Sequence, residues 1–363
     1  MSKFGDKVKF LGAAVTYVLK LLFICLVSAI FLEVVLRIIQ GTKKPFIPYL
    51  ITQHTAYLPS NAEFTSTLAG NIRANYVTDD VGARTADTSA RTKSREGGVF
   101  VVGDSQAMGW GVEFKDTFAS YVAGQVSDDP TKAWILASPS TDPEQSLFTI
   151  KRYTHSHNEP QKATILVLNL GNDLDEIFLA RQQSRTDSSP AWLWLTMKST
   201  LCMDVRILIN KATGADYTLT PGVNPILYAM LPDEQLFLAD RTVDVMIKAA
   251  KVVPRSEYLL MLITPADIQI DPAQFDKYRS YYDQEEFDSW KGKMVEFSNR
   301  MQEIEDYLAR QLESRGQNVI KASTVIRKNG SLDEIFDAYS HHLTSKGHQL
   351  VAQQLVRGIT GQP

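Results

Sequence analysis

Short, almost wholly apolar runs alternate with amphipathic stretches along most of this chain. Val99–Val102, Ala133–Ala137, Ala163–Leu170 and Leu259–Ile263 have the unbroken β-branched character of strands buried on both faces of a parallel sheet. Between them, Glu144–Tyr153 and Glu285–Arg315 repeat apolar residues at helical spacing. Strand and helix in turn predict a three-layer α/β/α architecture around a parallel sheet.

The N-terminal pattern is different. Phe10–Leu32 is apolar with Lys20 as its single charge, long enough to cross a bilayer, and the helix can continue through Glu33 and Arg37. Lys3, Lys7 and Lys9 precede it and Lys43 and Lys44 follow, a modest bias toward a cytoplasmic N-terminus. Val27-Ser28-Ala29 offers a cleavage site, but the apolar run continues past it. Residues 1–42 are therefore expected to form a tail and an uncleaved transmembrane signal anchor, with the rest of the chain outside the cytoplasmic membrane. Residues 43–97, with Pro45, Pro48 and Pro59 and the polar stretch Thr85–Gly98, read as a connector and lead-in. Residues 98–363 form the predicted main domain. An insertion at about 181–233 carries Trp192, Trp194, Leu195 and Met197 on an apolar stripe that suits core, lid or membrane-facing surface.

Composition narrows the function classes. With 363 residues and 44% hydrophobic content the chain can bury a full α/β core, and a net charge of −3 gives no reason to expect nucleic-acid binding. Cys25 and Cys202 imply no disulfide framework. His155 and His157 read as surface residues, since no partner set completes a metal site, and no glycine-rich phosphate loop occurs. Neither metal nor cofactor is expected.

Candidate chemistry gathers at the ends of the strand runs. Gly103-Asp104-Ser105 follows the first run and would deliver the Ser105 hydroxyl to the sheet's carboxyl edge, although the same tripeptide also makes ordinary turns and caps. Gly171-Asn172-Asp173 follows the third run, where the Asn172 amide can donate to an oxyanion or simply cap a helix. His341-His342 lies just before a C-terminal helix, placing an imidazole where a general base for Ser105 would stand.

Taken in order, these blocks resemble the GDSL/SGNH hydrolase family. Gly103-Asp104-Ser105 with Gly109-Trp110-Gly111-Val112 is similar to its first block, Gly171-Asn172-Asp173 to its third, and His342 with Gly347 to its last. The resemblance runs from about Tyr57 to the C-terminus. It implies an SGNH-type sandwich with a parallel flavodoxin-like sheet, Ser105 as nucleophile, His342 as base, and an oxyanion hole of Ser105, Ser140 and Asn172. Ser140 stands where the family usually has a glycine. The family aspartate two or three residues before the histidine is replaced by Ser340 and Tyr339, leaving Asp337 as the nearest upstream acid. Asp337 either completes a displaced triad or leaves a Ser-His dyad. The spacing to Gly347 and His348 selects His342 over His341, whose replacement by alanine is expected to be mild.

With the N-terminal anchor, the resemblance implies a membrane-anchored serine esterase or O-acyl transferase acting on an ester, such as an O-acetyl group, of an envelope or extracellular glycan or lipid, with envelope polysaccharide-modification proteins as candidate partners. The alternative is a degenerate domain serving as a glycan-binding or assembly component.

Overall fold

The computed structural model describes residues 17, 20, 21, 23–32, 35, 50, 51, 56–68, 72–139, 141–174, 232–281, 284–337 and 341–361. The chain divides into two compact units, Met1–Lys44 with Ser188–Tyr217, and Pro45–Asp187 with Thr218–Pro363.

Every described residue of the first unit, between positions 17 and 35, is helical, and Phe23, Ile24, Phe31 and Cys25 are exposed. Among the described residues no helix is long and apolar enough to cross a membrane, so the expectation of a transmembrane helix is not met among them. The other positions of the expected span, and the insertion from 181 to 231 with Cys202, lie outside the described residues.

The second unit is built on an eight-stranded sheet in the order β10-β9-β8-β6-β7-β5-β4-β3. Its parallel part comprises β6 (Val99–Gly103), β7 (Ala133–Ala137), β8 (Gln161–Asn169), β9 (Ser256–Thr264) and β10 (Asn318–Lys321). The expected wholly parallel sheet is corrected: β3 (Glu63–Leu68), β4 (Ile72–Thr78) and β5 (Arg84–Thr85) extend it in antiparallel fashion, so the sheet is mixed. The reason is local. Only residues 69–71 separate β3 from β4, far too few for a parallel crossover and enough for a hairpin. Along β4, Ala74, Tyr76 and Thr78 are buried while Asn75 is exposed, the alternation of a strand with one face on the core. Tyr76 stacks on Phe64 across the hairpin, centroids 5.2 Å apart. A separate two-stranded ladder pairs β1 (Leu50–Ile51) with β2 (Ala56–Tyr57).

Side-chain alternation in the parallel strands divides the core into two. Val99, Val101, Ile135 and Ile165 belong to one cluster, completed by α2 (Phe118–Val126) and α7 (Ser345–Thr360). Phe100, Val102, Leu136 and Leu166 point the other way, toward α3 (Pro143–Ser156), α4 (Pro232–Ala250) and α6 (Met294–Ser314). The single long helix expected over 285–315 is divided in two, Gln284–Lys291 and α6, at Gly292-Lys293.

The topology also fixes where a site can form. From β6 the chain crosses to β7 on one side and then to β8 on the other. The carboxyl ends of β6 and β8 therefore flank a switch point, the crevice that open α/β sheets use for ligands.

Candidate active site

Strand β6 ends in Gly103, and the chain turns at once into the one-turn helix α1 (Ser105–Met108). A side chain at Gly103 would put a Cβ 2.8 Å from both Ala107 and Val167 Cβ, so glycine lets α1 pack directly on the sheet. Asp104 caps the helix, its Oδ1 accepting from the Gln106 N–H at 2.9 Å. Ser105, only 6% exposed, is thereby held over the switch point.

His342 reaches the same point from the loop before α7, with its Nε2 2.8 Å from Ser105 Oγ. The hydroxyl also lies 3.3 Å from Asp104 Oδ2. With a single proton it can donate to only one of the two at a time. The indole of Trp110 stacks on the His342 ring, with centroids 5.7 Å apart and planes 21° from parallel. Gln106 ties serine helix to histidine loop: its Nε2 donates to the His341 carbonyl at 3.3 Å and its Oε1 accepts from the Leu343 N–H at 3.1 Å.

Asn172 is joined to Ser105 through two intermediaries. Asn169, the last residue of β8, donates from Nδ2 to Asp104 Oδ2 and to Asn172 Oδ1, each at 2.7 Å. Its Oδ1 accepts from the Gly171 N–H at 3.0 Å, and its own N–H donates to Asp173 Oδ2 at 2.7 Å. Because the Asn172 oxygen is the accepting end, its NH2 is the donor end, the polarity an oxyanion requires. Burial pushes the Asp104 carboxyl above the usual carboxylate range. The bonds from Asn169, Gln106, Ala107 and Ser105 pull it back. Ser140 lies outside the described residues.

The structure places Asp337 through its main chain. Its N–H donates to the His342 carbonyl at 2.8 Å and its carbonyl accepts from the His341 N–H at 2.9 Å, closing the loop that carries both histidines. A buried acid-imidazole contact is made one residue away. Asp267, in the short helix α5 (Asp267–Ile270) just after β9, holds His341 Nδ1 at 2.8 Å.

His348 faces the core from α7. Its Nδ1 accepts from the Phe118 N–H at 3.3 Å, and burial, with smaller contributions from Arg84 and His342, pushes its imidazole down to about 3. Gly347 permits the close packing of this turn, since a Cβ there would lie 2.5 Å from the Ile335 carbonyl oxygen.

Three supporting residues escape sequence reasoning. Asn169 reads as part of an apolar strand, and its one signal is an amide inside Leu168-Asn169-Leu170. Asp267 follows a strand run by three residues and resembles an ordinary helix-starting acid. Arg84 is fully buried over the Tyr76 ring, 4.0 Å from its centroid. It donates to the carbonyls of Met108 at 2.7 Å, Gly109 at 3.0 Å and Val112 at 2.8 Å, fixing the loop that presents Trp110. Within the polar stretch Thr85–Gly98, Arg95 is likewise buried, in an ion pair with Asp79 at 2.9 Å. Among the described residues no group of three or more histidine, cysteine, aspartate or glutamate side chains is placed to hold a metal ion. His157 pairs instead with Asp80 at 3.0 Å.

No protein-family model and no curated protein matches the chain. Solved structures similar to it include a member of the lipolytic protein G-D-S-L family from Veillonella parvula. That likeness has 11% identity and a TM-score of 0.41, and covers 73% of this chain and 98% of that one. Another is an α/β hydrolase enzyme from the metagenome of Lake Arreo, Spain, with 10% identity and a TM-score of 0.39, covering 74% of this chain and 96% of that one.

Proposed function

We propose that this protein is a serine-dependent ester hydrolase or O-acyl transferase whose nucleophile is Ser105 and whose general base is His342. The observation that carries the reading is the 2.8 Å contact between Ser105 Oγ and His342 Nε2 at the sheet's switch point. Ser105 Oγ attacks the ester carbonyl carbon as its proton passes to His342 Nε2. The oxyanion is met by the Ser105 N–H and the Asn172 NH2. Ser140, outside the described residues, is the remaining expected donor. His342 returns the proton to the departing alcohol, and water or a sugar hydroxyl then takes the acyl group by the reverse path. The resemblance of the ordered sequence blocks supports an O-acylated glycan or lipid as the substrate class.

The alternative, a domain that binds glycan without chemistry, is motivated by the lack of an acid two or three residues before His342. A hydroxyl held within hydrogen-bond distance of an imidazole argues against it. Hydrolysis of p-nitrophenyl acetate and of an O-acetylated oligosaccharide tests the proposal. Ser105→Ala is expected to lower kcat at least ~10³-fold with the fold intact. Turnover unchanged in the purified variant would remove Ser105 from the mechanism.

A further inference from the structure

The residue beside the proposed base is firmly fastened. His341 is 8% exposed and adopts a left-handed backbone with φ of 56°, a conformation that non-glycine residues keep only where their surroundings impose it. The surroundings are specific. His341 Nδ1 meets Asp267 Oδ2 at 2.8 Å, and the ring stacks on Tyr278 with centroids 3.7 Å apart. The Tyr278 hydroxyl and the Ile268 N–H each donate to Asp267 Oδ1 at 2.8 Å, so the carboxylate is fixed from both sides. His341 Nε2 is buried and has no hydrogen-bond partner, so this ring neither relays a proton nor competes for Ser105.

On the other side of the base, Leu343 is held by Gln106, whose neighbour is Ser105. His342 is thus suspended between two anchored residues, one tied to the end of β9 and one to the nucleophile's helix. We infer that Asp267 is a positioning residue: through His341 and its left-handed backbone it sets the His342 ring on Ser105. The inference rests on the hydrolase reading, since its consequence is placement of that reading's base.

The test pairs Asp267→Asn with His341→Ala and His341→Asn, read by steady-state ester hydrolysis and by crystal structures of the variants. Asp267→Asn and His341→Ala are each expected to lower kcat about 10- to 100-fold with KM changed less than about 3-fold, the cost of a base displaced by roughly an ångström. The double variant Asp267→Asn/His341→Ala should lose no more than the worse single, because both break one link. His341→Asn should recover most of what alanine loses, since asparagine tolerates the left-handed backbone and offers an amide donor to Asp267. In the Asp267→Asn crystal structure, His342 Nε2 should stand beyond hydrogen-bond distance of Ser105 Oγ. Should that variant fail to fold, His341→Ala carries the same measurements, because it leaves the Tyr278 and Ile268 bonds to Asp267 in place. A contact retained in the variant crystals, kcat unchanged, or losses that add in the double variant would overturn the inference. A wild-type protein inactive on every ester would count against the hydrolase reading alone, while the crystal distance would still decide the role of Asp267.

Discussion

Protonation of His348 should couple acid stability to the integrity of the site. Its imidazole is fully enclosed and its Nδ1 accepts the Phe118 N–H, so the folded protein holds it neutral, with the pKa pushed down to about 3 from an ordinary 6.5. The unfolded chain takes up the proton first. Stability contributed by the neutral ring is therefore complete above pH 6.5 and lost as pH falls from there toward 3. At about 1.4 kcal/mol per pH unit, the loss between pH 7 and pH 5 is ~2 kcal/mol. The raised carboxyls of Asp79, Asp104, Asp142 and Glu305 act oppositely, favouring the folded state while protonated above the ordinary carboxylate range. They are common to any variant of His348 and cancel in a comparison. His348→Asn keeps an acceptor near the Nδ1 position, so its packing defect should be independent of pH. Urea unfolding at pH 7, 6 and 5 should then show the wild type losing ~2 kcal/mol more than His348→Asn over that range. Equal losses in the two proteins would refute a neutral, enclosed His348.

Two further outcomes follow from the geometry around Ser105. Asn172→Ala should lower kcat about 10²- to 10³-fold with little effect on KM, the signature of a lost oxyanion donor; a change confined to KM in steady-state hydrolysis would assign the amide to substrate binding. Gly347→Ala drives a Cβ against the Ile335 carbonyl and should destabilise the protein by about 1–3 kcal/mol in urea unfolding, and a wild-type midpoint would show that the turn can relax.

Much of the parallel core, and the two side chains that meet beyond β6, Ser105 and His342, were legible in the sequence, for a physical reason. Strands buried on both faces leave continuous apolar runs, and Ser105 and His342 stand just beyond such a run or just before a helix. The antiparallel extension was not legible, because β5 has two residues and β3 reads Glu63-Phe64-Thr65-Ser66-Thr67-Leu68, too polar to stand out from a connector. Support of the site was hidden for another reason. Arg84, Asn169 and Asp267 act through contacts with residues remote in sequence: Asn169 lies 65 positions from Asp104, and His341 lies 74 from Asp267. Nothing in a local window distinguishes a buried arginine that binds the carbonyls of Met108, Gly109 and Val112 from an exposed strand residue. Spacing also gave no sign of the contact His341 makes, since the Asp267 carboxylate it meets comes from the short helix after β9.

The central claim is that Ser105 is an activated nucleophile, and covalent capture tests it most directly. The folded protein treated with a fluorophosphonate, followed by intact-mass and peptide mass spectrometry, should gain a single phosphonyl adduct on Ser105 with loss of fluoride. Ser105→Ala should gain none, and His342→Ala should react at least ~10²-fold more slowly because the hydroxyl has lost its base. A wild-type protein that remains unlabelled while folded, or an adduct that maps elsewhere and persists in Ser105→Ala, would contradict the account.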